Sequence, residues 1–288
     1  MPYAKARALM NAAQLRLDSA REPVARVTDL TISGPHGPIA LRAYLPDGDV
    51  GGAVAFYHGG GFVIGDIETY DPAARRLANA AGALVVSVAY HLAPEFPYPA
   101  PLDDASAALL WIAEHARELG APAGRLAVAG DSAGGFLATA AALVARDRGT
   151  PRIEHQALVY PKVDALGRYA SFERFGDGLY LTRELMQWFD AAIHPSAASR
   201  TLPYASPIRE SLAGLPPATI VLAECDPLVD EGLAYARALV EAGVAADVRV
   251  FEGLFHGFFS MGSIFSEARE AALMLGASLR AAFARAAR

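Results

Sequence analysis

Gly130-Asp131-Ser132-Ala133-Gly134 follows the apolar run Leu126-Ala127-Val128-Ala129 and precedes a helix-favouring stretch over residues 136–145. A strand that turns sharply into a helix leaves little room for side chains, and glycine on both sides of the apex residue meets that constraint. The turn would push the Ser132 hydroxyl into the open, beside a helix N-terminus whose unpaired N–H groups and dipole favour an oxyanion. A pentapeptide of this kind also arises as an ordinary small-residue turn, but the strand before it and the helix after it favour a nucleophile elbow. The chemistry it suits is attack by a serine oxygen on a carbonyl carbon.

A serine hydroxyl is a weak nucleophile near neutral pH, so this chemistry also needs a base, a group that orients the base, and oxyanion donors. His58-Gly59-Gly60-Gly61 follows the strand-like residues 53–57 and leads into Phe62-Val63-Ile64. Consecutive glycines let backbone N–H groups approach a carbonyl without Cβ atoms intervening, the alternative for such a run being a flexible surface turn. Of the seven histidines, His256 is the best placed as base, since it falls in a short loop between an alternating stretch at 246–253 and the final helix. His36 sits in a Gly-Pro turn, His58 opens the glycine loop, His91 and His155 flank strands, His115 lies on a polar helix face, and His194 precedes a proline. The orienting acid is expected just after the strand at 219–223. Asp226 is favoured there because Pro227 fixes the chain where a carboxylate would turn toward His256 Nδ1. Glu224 and Asp230 are its rivals, and a turn former or helix cap is its plainer role.

The elements that must hold these residues alternate as in a wound parallel sheet. Residues 27–33 and 39–45 read as an antiparallel pair joined by the turn at 34–38. Runs at 53–57, 84–90, 125–129, 156–160, 219–223 and 247–251 supply six further strands. Leu102, Ala105, Leu109, Ile112, Ala116 and Leu119 recur at helical spacing, with Asp103 and Asp104 in the first turn and Gly120 just past the end, as expected of a helix packed on the sheet.

These residues together resemble the hormone-sensitive-lipase-like carboxylesterases of bacteria, in the subgroup with a Gly-Asp-Ser-Ala-Gly elbow. Beyond the elbow, the shared motifs are His58-Gly59-Gly60-Gly61-Phe62, Tyr90-His91-Leu92-Ala93-Pro94-Glu95, Pro97-Tyr98-Pro99-Ala100, Asp103-Asp104, the run from Asp226 to Gly232, and His256-Gly257-Phe258. The order Ser132, Asp226, His256 is also that of α/β-hydrolases. The resemblance implies an α/β fold of the α/β-hydrolase type, a single domain over residues 1–288 with an eight-stranded, mostly parallel sheet flanked by helices. It also implies a helical cap formed by residues 1–22 and 165–207. Oxyanion donors would be the backbone N–H groups of Gly60, Gly61 and Ala133, with His58 bracing the loop outside the proton transfer. His91 stands where an arginine is usual in the family, and Cys225 where an aromatic residue is common.

Residues 1–22 read as an amphipathic helix with Leu9, Met10, Ala13 and Leu17 on one side, for which a membrane-surface or partner helix is the other reading. The excursion at 165–207 carries Phe172, Phe175, Tyr180, Met186, Trp188 and Phe189, and an ordinary crossover helix with loops is its alternative. A substrate pocket is expected among Phe62, Asp131, Phe175, Tyr180, Met186, Phe189 and Leu228. The implied activity is hydrolysis of short-to-medium acyl esters by a serine carboxylesterase working through an acyl-enzyme. An amidase, peptidase or lactonase on the same triad is the alternative, because a triad does not choose the leaving group. A non-catalytic small-molecule receptor is a further alternative, and retention of His256 weighs against it.

Composition fits one catalytic domain. Hydrophobic residues make up 53% of 288, enough for a sheet buried on both faces. A net charge of −6 without a dense Lys/Arg stripe argues against nucleic acid as partner. The first residues lack the apolar core of a secretion signal, and no apolar run reaches spanning length, so no membrane insertion is expected. Cys225, the single cysteine, suits a reducing compartment, and the expected location is cytoplasmic. Dinucleotide loops, P-loops, H-E-x-x-H and other metal constellations are absent, so no cofactor and no metal are expected. The family resemblance suggests a homodimer.

Overall fold

A computed structural model describes residues 2–287. Eight strands, β1 (Arg26–Gly34), β2 (Gly37–Leu45), β3 (Ala53–Tyr57), β4 (Leu84–Ala89), β5 (Leu126–Asp131), β6 (His155–Val159), β7 (Ala218–Cys225) and β8 (Ala246–Phe255), form one sheet. Its order is β1-β2-β4-β3-β5-β6-β7-β8. β2 runs antiparallel to both β1 and β4, and every other pairing is parallel. Every residue of β3, β5 and β6 is buried, which is why β3 and the first four residues of β5 read as unbroken apolar runs without alternation.

Helices α1 (Tyr3–Leu17), α2 (Ile67–Ala81), α3 (Ala100–Leu119), α4 (Ala133–Arg148), α5 (Ala170–Arg174), α6 (Arg183–Ile193), α7 (Val229–Glu241) and α8 (Glu267–Ala286) complete the chain. The crossover from β3 to β4 steps one way along the sheet and that from β4 to β5 steps the other. Right-handed crossovers therefore put α2 and α3 on opposite faces. α8 packs on α2 and α4 packs on α3, so both faces are covered. The six apolar positions read from the sequence at 102–119 are all buried in α3, and Gly120 ends it at φ 101°.

One expectation outside the sheet is corrected. α1 ends at Leu17, and only part of the predicted apolar face turns inward: Met10 and Leu17 are half-buried, but Leu9 is 55% exposed and Ala13 is exposed, while Ala6 and Gln14 are buried. Polar side chains hold this helix down. Arg7 donates to the carbonyls of Val63 and Ala93 and pairs with Glu95, and Asn11 bonds Asp66 and the Gly65 N–H. A periodicity search that counts only apolar residues misses such a face. In the 165–207 stretch, helix is confined to α5, α6 and a 3-10 turn at Ala198–Thr201, with irregular chain between them. Among the described residues, no helix is long and apolar enough to cross a membrane.

Candidate active site

β5 ends at Asp131, and the chain turns at Ser132 into α4. Ser132 takes φ 54° and ψ −117°, a strained conformation for a residue with a side chain. Its N–H bonds the Val159 carbonyl and its own carbonyl accepts from Phe136 and Lys162, so the apex is fixed from both sides. The flanking glycines are required by contact: a Cβ on Gly134 would overlap the Tyr57 carbonyl, and one on Gly130 would overlap the Gly134 carbonyl.

Ser132, His256 and Asp226 lie at the C-terminal ends of β5, β8 and β7, the end of a parallel sheet where ligands bind. The structure brings them into one hydrogen-bonded chain. Ser132 Oγ is 2.9 Å from His256 Nε2, and His256 Nδ1 is 2.7 Å from Asp226 Oδ2. Asp226 is fully buried, and its other oxygen accepts the Leu228 N–H at 2.8 Å. Both of its oxygens are thus engaged, and the carboxylate cannot swing away. The rivals lie elsewhere: Glu224 faces solvent and accepts the Gly253 N–H, and Asp230 accepts the Ser171 N–H.

The glycine loop lies beside this chain. Among the described residues, no acceptor takes the N–H of Gly60, Gly61 or Ala133, although the neighbouring Gly59 N–H is bonded. Three unpaired donors around a nucleophile are what an oxyanion requires. His58 is buried and accounts for the shape of the loop: its ring stacks on Tyr90 at 4.4 Å and its Nδ1 lies 2.7 Å from the Gly59 carbonyl. Burial pushes its pKa down, so at neutral pH it carries no charge.

Asp131, expected in the pocket wall, also ties the elbow to this loop. Its Oδ1 accepts the Gly59 N–H at 2.8 Å and its Oδ2 accepts the Tyr70 hydroxyl at 3.0 Å. Burial raises its pKa to about 6, against the opposing pull of Tyr70, the His256 charge and the Gly59 N–H. Tyr160 is a residue that the sequence reading passed over. It follows β6 with φ 33°, and its ring packs against the His256 imidazole at 4.3 Å, tilted by 45°.

A cavity of about 100 Å³ opens over Ser132. Phe62, Asp131, Tyr180, Met186, Phe189 and Leu228 line it, joined by Met10 and Gln14 from α1 and Leu185 and Ile193 from α6. Phe175 does not. Its ring lies under the Arg174 guanidinium at 4.6 Å, because α5 ends before the chain turns back over the site. Phe172 faces a second hollow beside Lys162 and Glu231. His91 bonds Asp104, and Cys225 closes β7 half-buried; neither lines the cavity. Among the described residues, no group of three or more His, Cys, Asp or Glu side chains is arranged to hold a metal ion.

Comparison with known proteins agrees with this geometry. Residues 54–260 match a family model described as alpha/beta hydrolase fold. Esterase LipI of Mycobacterium tuberculosis is 43% identical over 88% of this chain and 82% of its own. An ethyl acetate hydrolase of Pseudomonas putida is 40% identical over 88% of this chain and 82% of its own. Among solved structures, a hyperthermophilic esterase from the archaeon Pyrobaculum calidifontis superposes with a TM-score of 0.94. It is 44% identical, with 98% of this chain and 94% of the other covered.

Proposed function

The chain belongs to the α/β-hydrolase family, in its hormone-sensitive-lipase-like branch, and is a carboxylic ester hydrolase; from that premise we propose that Ser132, His256 and Asp226 carry the reaction through an acyl-enzyme. The observation that carries this reading is the continuous hydrogen-bonded chain from Ser132 Oγ to Asp226, set beside three unpaired N–H groups.

His256 Nε2 takes the Ser132 proton as Oγ attacks the ester carbonyl carbon. The tetrahedral oxyanion is held by the N–H groups of Gly60, Gly61 and Ala133. As the intermediate collapses, the C–O bond to the alcohol breaks and His256 returns its proton to the departing oxygen. Water then attacks the acyl-enzyme, giving its proton to His256, and the acid leaves as Ser132 recovers its hydrogen. Asp226 stays ionised, fixing the imidazole tautomer and stabilising the imidazolium.

Short-to-medium acyl groups are the proposed substrates, because the cavity is small and walled by Phe62, Met186 and Phe189. The name of the Pseudomonas putida relative, an ethyl acetate hydrolase, points the same way. α1 and the 165–207 stretch act as the cap that closes this space. The lone Cys225 suits the cytoplasm, and a homodimer is part of the reading on family resemblance. The test is a p-nitrophenyl ester series with a serine-directed phosphonate label. Label on Ser132 and an optimum at short chains support the reading, whereas label on another serine, or an optimum at very long chains that needs an oil–water interface, overturns it.

A further inference from the structure

The segment that follows His256 packs on α8 and α2, and two of its backbone carbonyls are bonded by side chains from the first third of the chain. Gly257 leads into a 3-10 turn at Phe258–Ser260, and the last carbonyls of such a turn have no partner within it. Both are taken by side chains. Arg76, on α2, donates Nη2 to the Phe259 carbonyl at 2.9 Å, and Gln14, on α1, donates Nε2 to the Ser260 carbonyl.

Arg76 is itself aimed by Asp18, which follows α1. Its two terminal nitrogens meet the two Asp18 oxygens at 3.0 and 2.7 Å, a bidentate pair that fixes the guanidinium plane. Both side chains are buried, with Asp18 1% and Arg76 6% exposed. Gly262 lets the guanidinium pass, since a Cβ there would lie 2.5 Å from Arg76 Nη1. A backbone contact extends the clasp, as the Ser19 N–H donates to Ser263 Oγ at 3.1 Å. Residues 14–19 are therefore tied to residues 259–263 directly at two points and through Arg76 at a third. An ion pair buried this deeply is weak evidence for stability, because desolvation offsets most of its attraction, so a role in specifying geometry is the better explanation for keeping it.

We propose that Asp18, acting through Arg76, and Gln14 are positioning residues that hold the turn after His256 and so set the imidazole against Ser132. This rests on the catalytic reading above. It makes the N-terminal segment part of the catalytic apparatus as well as a wall of the cavity. Its loss should lower kcat, whereas a wall alone would change KM and chain-length selectivity.

The experiment uses the full chain with Arg76→Met, Arg76→Lys and Gln14→Ala, measuring kcat and KM on p-nitrophenyl butyrate, melting temperature, and phosphonate labelling of the parent. Arg76→Met should lower kcat about tenfold or more, the scale on which a distant misplacement acts, with KM changed by no more than about twofold; Gln14→Ala, which also opens the cavity wall, should lower kcat by a similar factor whatever its KM. Arg76→Lys, which keeps a cationic donor for the Phe259 carbonyl, should recover most of the lost kcat even where it melts as low as Arg76→Met. Should Arg76→Met fail to fold, Gln14→Ala and Arg76→Lys still decide. Unchanged kcat with a lowered melting temperature, or a change confined to KM, overturns the proposal and leaves the catalytic reading standing. Label on a serine other than Ser132 overturns both.

Discussion

The Phe189 ring occupies the space that a side chain on Gly61 would need. Gly61 also holds φ 60°, a conformation that residues with a Cβ avoid, so the loop bearing the proposed oxyanion donors is pinned by a helix from the opposite side of the cavity. Gly61→Ala should displace that loop and lower kcat/KM by about 10²-fold, as expected for one lost oxyanion donor. The double variant with Phe189→Ala should recover part of the loss by removing the overlap, while the backbone strain persists. Steady-state kinetics on a short p-nitrophenyl ester read both effects.

Asp226 and Glu224 differ by two positions and face different surroundings. Asp226→Asn should lower kcat by about 10⁴-fold through the wrong imidazole tautomer. Glu224→Gln should stay near the parent, since its carboxylate faces solvent and accepts only the Gly253 N–H. A reversed result would assign the acid to Glu224.

Asp131 makes stability depend on pH in a direction opposite to most carboxylates. Its folded pKa of about 6 lies above the ordinary value of 3.8, so between these values the folded chain holds a proton that the unfolded chain has lost. Its contribution to stability is therefore full below about pH 4 and falls as pH rises to 6, by on the order of 3 kcal/mol at most. Asp131→Asn, neutral throughout, should remove this slope. It should melt at or above the parent at pH 7 and show no such gain at pH 4. Calorimetry across that range checks the sign.

Acyl length should show an optimum at roughly four to eight carbons, because each added methylene stabilises binding by about 0.8 kcal/mol only while room remains. Phe189→Ala should move the optimum to longer chains, and the p-nitrophenyl ester series measures it.

The sheet was legible because its strands are of two readable kinds. β3 and residues 126–129 of β5 are unbroken apolar runs, and the β1–β2 hairpin is marked by Gly34-Pro35-His36-Gly37. Ser132, Asp226 and His256 could be named because each follows a strand end and has glycine or proline within two positions, residues that leave a local trace. The clasp leaves no such trace. Asp18 and Arg76 meet across 58 positions and Arg76 and Phe259 across 183, and no pattern within one element records either contact. Phe175 was misplaced for a related reason. Aromatic content marks 165–207 as able to enclose something, but the short α5 and the turns after it decide which rings point inward.

The three residues of the hydrogen-bonded chain are contributed by widely separated parts of the sequence: His256 is 124 positions from Ser132 and 30 from Asp226. Contacts of such long sequence separation close late, because chain entropy must be lost before they form. In refolding experiments, turnover should therefore recover after helical circular dichroism does. During synthesis, the half bearing Ser132 should remain inert until β8 has emerged and docked on β7, so a nascent chain would carry its nucleophile through the addition of the next 124 residues without being able to use it.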